Sequence, residues 1–320
     1  RYNRAITRHK EGDNHGAIAD YNKVIEIEPN HRDAHCGRAS VHGDTGDYDG
    51  AITDYGKAIE MDPSFASAYF GRAAAYAAKG QYTRAIADHN KALEIEPNPA
   101  PALVARAAAY GQKGLQEEAI ADCTRAIQID PGGSPMAYNN RGLAYSRKGE
   151  YDRAIADYNK AIELNPKLVK AYANRAKLLR ARKEYDKALA DYSKILEINP
   201  RDGEAYGARA WLYRNQRRFD SAISDYTRAI AINPKDAEVY TGRGLAYYSK
   251  GRYSQAVSDY NMAIAIDPDS PYAYANRVTA YCGLGDFTSA WKDYYKARSL
   301  GFRFPPEFTD RLRKASGRQQ

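Results

Sequence analysis

The sequence predicts an all-α fold: an α-solenoid of nine helix–turn–helix repeats followed by a C-terminal capping helix. Three observations predict it. The first is a proline ruler. Pro29, Pro63, Pro97, Pro131, Pro166, Pro200, Pro234 and Pro268 are spaced by 34 residues, with a single 35 between Pro131 and Pro166. Each follows a helix ending such as Ile-Glu-Ile-Glu, and proline stops a helix because it lacks an N–H and disfavours α geometry in the residue before it. The second is the pattern inside each period. In residues 138–166, YNNRGLAYSRKGEYDRAIADYNKAIELNP, one amphipathic helix runs to Arg147, Lys148-Gly149-Glu150 makes a turn, and Ala154, Tyr158 and Ala161 mark a second helix. The third is an abundance of the helix formers Ala, Lys, Arg, Glu and Leu.

Repeats of this kind stack into one elongated body, so 320 residues form a single array here rather than two or three globular domains. The ruler sets the repeats at about 1–31, 32–65, 66–99, 100–134, 135–168, 169–202, 203–236, 237–270 and 271–304, with the last helix at about 305–316. The one extra residue lies in Pro131-Gly132-Gly133-Ser134-Pro135, which reads as an irregular junction or hinge. Repeat one lacks its first three positions, and Arg1, Arg8 and Asn14 stand where other repeats carry aromatic residues. That polar face suits a terminal repeat.

The pattern of Tyr138, Gly142, Tyr145, Tyr151, Ala154, Tyr158 and Pro166, respelled along the chain, resembles the tetratricopeptide repeat family, whose repeat is a 34-residue helix–turn–helix. The resemblance covers about 300 residues. It implies a right-handed superhelix, a concave groove lined by the first helix of each repeat, and a C-terminal helix that covers the last repeat.

The register explains most of the conspicuous residues. Of 28 tyrosines, 24 fall at the four aromatic positions of the repeat, which points to core packing; Tyr2, Tyr248, Tyr272 and Tyr295 do not. His35 and His42 replace core tyrosines, and with His31 and Cys36 they match no metal-ligand spacing. Cys36, Cys123 and Cys282 sit in separated repeats and cannot pair within the chain, which fits a reducing compartment. A glycine-rich phosphate loop, a nucleophile elbow and paired catalytic carboxylates are all missing, so the reading is a non-enzymatic chain without cofactor or metal.

Arginine stands at the seventh position of all nine repeats, among them Arg141, Arg175 and Arg209. Aspartate stands at the twenty-third, among them Asp157, Asp191 and Asp225. A half-buried guanidinium needs a planar acceptor, so these residues are expected to form a ladder of ion pairs that sets stacking geometry.

Residues 1–168 carry 21 Lys and Arg against 23 Asp and Glu, whereas 169–320 carry 27 against 17. Attraction to an acidic partner is therefore expected in the second half. The groove positions that the resemblance implies change along the chain: small and apolar in repeats three and four, then amide-rich and basic. Asn139, Asn140, Arg147, Lys170, Asn174, Lys177, Arg180 and Trp211 form the candidate peptide site. Asparagine amides suit an extended backbone, the cations suit an acidic segment or a carboxyl terminus, and Trp211 suits an anchor. The Lys, Asn and Arg set that chaperone-tail binders of the family carry is missing. Nucleic acid is disfavoured because the cations are not interleaved with free aromatics.

Two functions stay open. One is a protein-interaction scaffold that takes a peptide or helix of a partner in the groove. The other is a self-assembling structural protein that forms a filament or tube as a homo-oligomer. Phe302, Phe304 and Phe308 gather in the C-terminal segment and either cap repeat nine or dock on another copy. The tail from Ala315 to Gln320 should fray in a free monomer unless something pins it. No apolar run reaches membrane-spanning length. The chain opens at Arg1, inside a repeat, so the compartment stays open between cytoplasmic, which is favoured, and export after loss of a leader.

Overall fold

The structure is a computed structural model and describes residues 1–97 and 99–317. Among these residues it is all-helical. Repeat one contributes α1 (Tyr2–Lys10) and α2 (Asn14–Ile27), repeat two α3 (Arg32–Asp44) and α4 (Tyr48–Met61), and repeat three α5 (Ala66–Ala78) and α6 (Tyr82–Ile95). Next come α7 (Ala100–Gln112) and α8 (Gln116–Ile129), α9 (Pro135–Arg147) and α10 (Tyr151–Leu164), and α11 (Val169–Ala181) and α12 (Tyr185–Ile198). The last three repeats are α13 (Gly203–Asn215) with α14 (Phe219–Ile232), α15 (Ala237–Ser249) with α16 (Tyr253–Ile266), and α17 (Pro271–Leu284) with α18 (Phe287–Ser299). Finally, α19 (Pro306–Ser316) follows Pro305. The chain gathers into two compact units, residues 1–174 and 175–320. The division falls within α11, not at the extra residue near 131–135, where α8 and α9 pack together.

Within each unit, each helix packs on its pair mate and on the next pair. Close approach comes from alanine. Ala5, Ala17, Ala39, Ala51, Ala73, Ala85, Ala154 and Ala176 are fully buried at the eighth and twentieth positions, where a longer side chain would hold two helices apart. The tyrosines of the twenty-fourth position, Tyr21, Tyr158 and Tyr260 among them, fill the space beyond and are almost entirely buried. At the seventeenth position Tyr48, Tyr82 and Phe287 pack partly buried against the core, whereas Tyr151 reaches the rim and is 47% exposed.

The ion pairs run inside each repeat. In all nine, the arginine of the first helix donates through Nε and Nη2 to both carboxylate oxygens of the aspartate 16 residues on, at 2.5–3.0 Å. The aspartates are buried, and every one of these arginines except the terminal Arg4 is largely covered. Flanking tyrosines do much of the covering: Arg141 lies over Tyr138 at 5.6 Å and Tyr145 at 6.0 Å, and Arg243 is held the same way by Tyr240 and Tyr247. The Asp157 hydrogen bonds raise the Arg141 pKa still further.

A third arm of the same guanidinium reaches the preceding repeat. Arg38 Nη1 donates to Asn22, Arg106 to Asn90, Arg141 to Thr124, Arg209 to Ser193, Arg243 to Thr227 and Arg277 to Asn261. Each acceptor is a small polar residue on the second helix of the previous repeat. Gly56 occupies that place ahead of Arg72 and offers no side-chain acceptor. One guanidinium thus ties its own two helices together and joins them to the repeat before.

Removing one partner of a covered pair leaves the other charge unmatched. Asp157→Ala is therefore expected to cost about 2–4 kcal/mol in urea unfolding, and Arg141→Met combined with Asp157→Ala less than Asp157→Ala alone. A single-variant cost no larger than that of separating the exposed pair Lys160–Glu163 would contradict this assignment.

Candidate functional site

The candidate groove residues divide between the two compact units. In the first unit the amides bond to one another. Asn174 Nδ2 donates to Asn139 Oδ1 at 3.0 Å, and Asn139 Nδ2 donates to Asn140 Oδ1 at 3.2 Å. Asn139 is buried, so it acts as a structural link between α9 and α11 rather than as an open peptide receptor. Arg147 is exposed and folds back to donate through Nη1 to the Gly111 carbonyl. Lys170 is exposed.

In the second unit two of the expected residues, Arg180 and Trp211, touch. Lys177 is exposed on α11, and the Arg180 guanidinium lies 5.2 Å over the Trp211 ring. Tyr185 meets the same indole edge-on at 6.2 Å. Two adjoining hollows share Trp211, Tyr226 and Glu238. One, of about 260 Å³, is bounded by Arg180, Gly203, Gly207 and Ala208; the other, of about 330 Å³, by Arg214, Thr241, Leu245 and Tyr272. Gly203, Gly207 and Ala208 line the first hollow with almost no side chain.

Arg214 differs from the ladder arginines. Its Nε is buried and has no hydrogen-bond partner. Buried hydroxyls lie close by: the Tyr226 phenol is pushed up to about 12 by burial, with the Arg214 charge opposing, and Tyr260, whose hydroxyl lacks a partner, is raised for the same reason. Three of the four tyrosines outside the repeat register, Tyr248, Tyr272 and Tyr295, are exposed. Tyr272 lies at this hollow and meets Phe302 edge-on at 5.6 Å.

The C-terminal phenylalanines cover repeat nine of their own chain. Phe304 stacks on Tyr294 at 4.5 Å and on Phe308 at 5.2 Å, and Leu312 is buried against Val278, Trp291 and Tyr294. Ala315 is exposed, and the neighbouring Ser316 accepts from Trp291 Nε1 at 3.0 Å. Of the tail expected to fray, Ala315 and Ser316 close α19, and Arg318, Gln319 and Gln320 lie outside the described residues.

No group of three or more His, Cys, Asp or Glu converges as a metal site among the described residues. His31 Nδ1 accepts from the Ala34 amide and caps α3. His35 is buried between Asp54 and the Pro29 carbonyl, and His42 pairs with Asp47. Burial pushes the thiols up, Cys36 to about 11 and Cys123 to about 12, and raises Cys282, so all three stay protonated at neutral pH. The sequence reading missed the third-arm acceptors. Their signal was a small polar residue recurring two places after the ladder aspartate.

His89 stands in a tyrosine place, 1% exposed, edge-on to Phe70, with Nδ1 unpartnered. Burial foremost, and the Arg106 charge after it, lower its pKa to about 4. The unfolded chain takes up a proton near pH 6.5 that the fold refuses, so stability falls as pH drops from about 6.5 towards 4, by on the order of 3 kcal/mol. Melting temperatures at pH 7.5 and 5 should differ less in His89→Leu than in the parent chain. An equal difference would show that His89 titrates normally.

Tetratricopeptide repeat models match residues 1–31, 44–80, 66–99, 100–132, 135–168, 169–202 and 208–271. No curated protein sequence matches. Similar solved structures include the APC/C hetero-tetramer Cut9–Hcn1, at 17% identity and TM-score 0.61, over 83% of this chain and 52% of that one. This chain thus spans about half the length of that relative. A tetratricopeptide repeat protein from Parabacteroides merdae ATCC 43184 matches at 24% identity and TM-score 0.53, over 79% of this chain and 98% of that one. YrrB, described as a TPR protein with an unusual peptide-binding site, matches at 22% and 0.51, over 56% and 92%. At these identities the likenesses speak for the fold alone. The repeat matches along the chain, joined to the helix pairs and their spacing, make it a member of the tetratricopeptide repeat family.

Proposed function

We propose that this chain is a non-enzymatic interaction scaffold that binds an extended segment of a partner protein in the second unit. Trp211 is the apolar anchor, and Arg214 receives a carboxylate. The observation that carries this reading is the unpartnered, buried Nε of Arg214 beside a half-exposed Trp211. Nine other arginines in the same chain are matched by two hydrogen bonds each to an aspartate. A guanidinium left short of acceptors at the wall of a hollow is suited to an incoming one. The adjoining hollows, of about 260 and 330 Å³, are each about the size of one or two side chains.

Self-assembly through Phe302, Phe304 and Phe308 is the second reading, and it gains nothing from these rings, because repeat nine already occupies them. Sedimentation at increasing concentration tests it: concentration-independent monomer removes it.

Peptides selected on the intact chain from a random library should lose at least tenfold in affinity for Trp211→Ala. Those carrying a carboxylate should weaken for Arg214→Gln, while Lys170→Ala and Asn140→Ala leave binding unchanged. Undiminished affinity in Trp211→Ala would overturn the assignment.

A further inference from the structure

We infer that the edge formed by the helix–helix turns of repeats six, seven and eight is a second docking surface, outside the groove, for an acidic segment of a partner protein. Backbone strain marks two of these turns. In seven repeats the turn residue with positive φ is glycine, Gly149 (φ 82°) and Gly251 (φ 73°) among them. In repeats six and seven it is Lys183 (φ 62°) and Arg217 (φ 60°), the two non-glycine residues with positive φ among those described. A Cβ there crowds the following carbonyl oxygen; glycine avoids this, and asparagine tolerates it. Both of those substitutes are uncharged. This chain instead carries a cation at the strained place in two successive repeats, and both side chains are exposed.

The turns are contiguous. Gln216 Nε2 donates to Asp186 Oδ1 at 2.8 Å, joining repeats seven and six, and Lys250 pairs with Asp220, joining eight and seven. Residues 181–186, 215–220 and 249–254 together hold six Lys or Arg against three Asp or Glu; Lys250 pairs with Asp220 and Arg182 with Glu184, and Lys183, Arg217, Arg218 and Arg252 outnumber the one acid left, Asp186. The turn of repeat two, residues 44–49, holds three Asp and no cation, so the charge belongs to these repeats and not to the turn as such. Alternating charge favours a peptide with spaced carboxylates over a continuous phosphate backbone, which Glu184 and Asp186 would repel. Of the rings next to the turns, Tyr185, Phe219 and Tyr253 are partly covered, and the exposed Tyr248 lies against Tyr253 at 5.4 Å, which leaves no row of open rings for base stacking.

The test is fluorescence anisotropy of a labelled ten-residue oligoglutamate with the intact chain at low salt. The parent chain should bind, and Lys183→Gly with Arg217→Gly should weaken binding at least about fivefold while the melting temperature rises by about 1–4 °C as the strain is released. Lys183→Arg with Arg217→Lys should bind as the parent does. Trp211→Ala should leave oligoglutamate binding intact, which separates this surface from the groove. The proposal is overturned by absence of binding to the parent, by unchanged affinity in the glycine pair, by loss of binding in Trp211→Ala, or by tighter binding of a labelled DNA duplex through the same residues.

Discussion

The arginine at the seventh position is the interaction on which the fold rests. Its two parallel bonds to the aspartate 16 residues on fix how the two helices of a repeat meet, because a planar fork meets a planar carboxylate in few orientations. Its third donor carries that geometry to the preceding repeat. A covered charge pair gives little net stability over an apolar pair of the same shape, but a mismatched one is costly. The ladder therefore acts by penalising wrong stacking. Alanine and tyrosine supply the burial, and the ladder chooses among the packings that burial permits.

Saturation of the ladder is what makes the second-unit hollow informative. In a chain with 48 Lys and Arg, a single cationic side chain carries no functional meaning. The pairing makes it possible to separate arginines that hold the array from those that do not. Arg147 folds back on a carbonyl of the neighbouring repeat, and Arg180 lies on Trp211. Arg214 is left with a buried donor and no acceptor, next to space. Lys183 and Arg217 are set apart by a different criterion, since they hold charge where the backbone favours glycine.

The fold was legible because the same physical demand is written nine times. The proline spacing, the arginine and aspartate positions and the tyrosines that replace one another recur often enough to stand out from chance. Features decided by local contact were not legible. Asn139 and Asn174 lie at groove positions by register, yet their separation lets their amides satisfy each other, and no spacing rule reveals that. The third-arm acceptor changes identity between Asn, Ser and Thr, so recurrence by residue name hides it. The C-terminal rings had two partners available, and only three-dimensional packing chose repeat nine. Arg180 and Trp211 were both placed at groove positions by register, but that the guanidinium lies over the indole, and that an Arg214 nitrogen is orphaned, are properties of the folded chain alone.

Whether the third arm joins successive repeats can be measured at Gly56. It sits in α4 where Arg72 would find its acceptor, and a Cβ built there meets Arg72 Nη1 at 3.8 Å, an ordinary contact. Alanine is the better helix former, by about 0.6 kcal/mol over asparagine. Urea unfolding of Gly56→Ala and Gly56→Asn separates propensity from the missing bond. If the arm works as described, Gly56→Asn is at least as stable as Gly56→Ala, and Arg72→Met abolishes its advantage. An asparagine variant weaker than the alanine variant by the full propensity difference would contradict the claim.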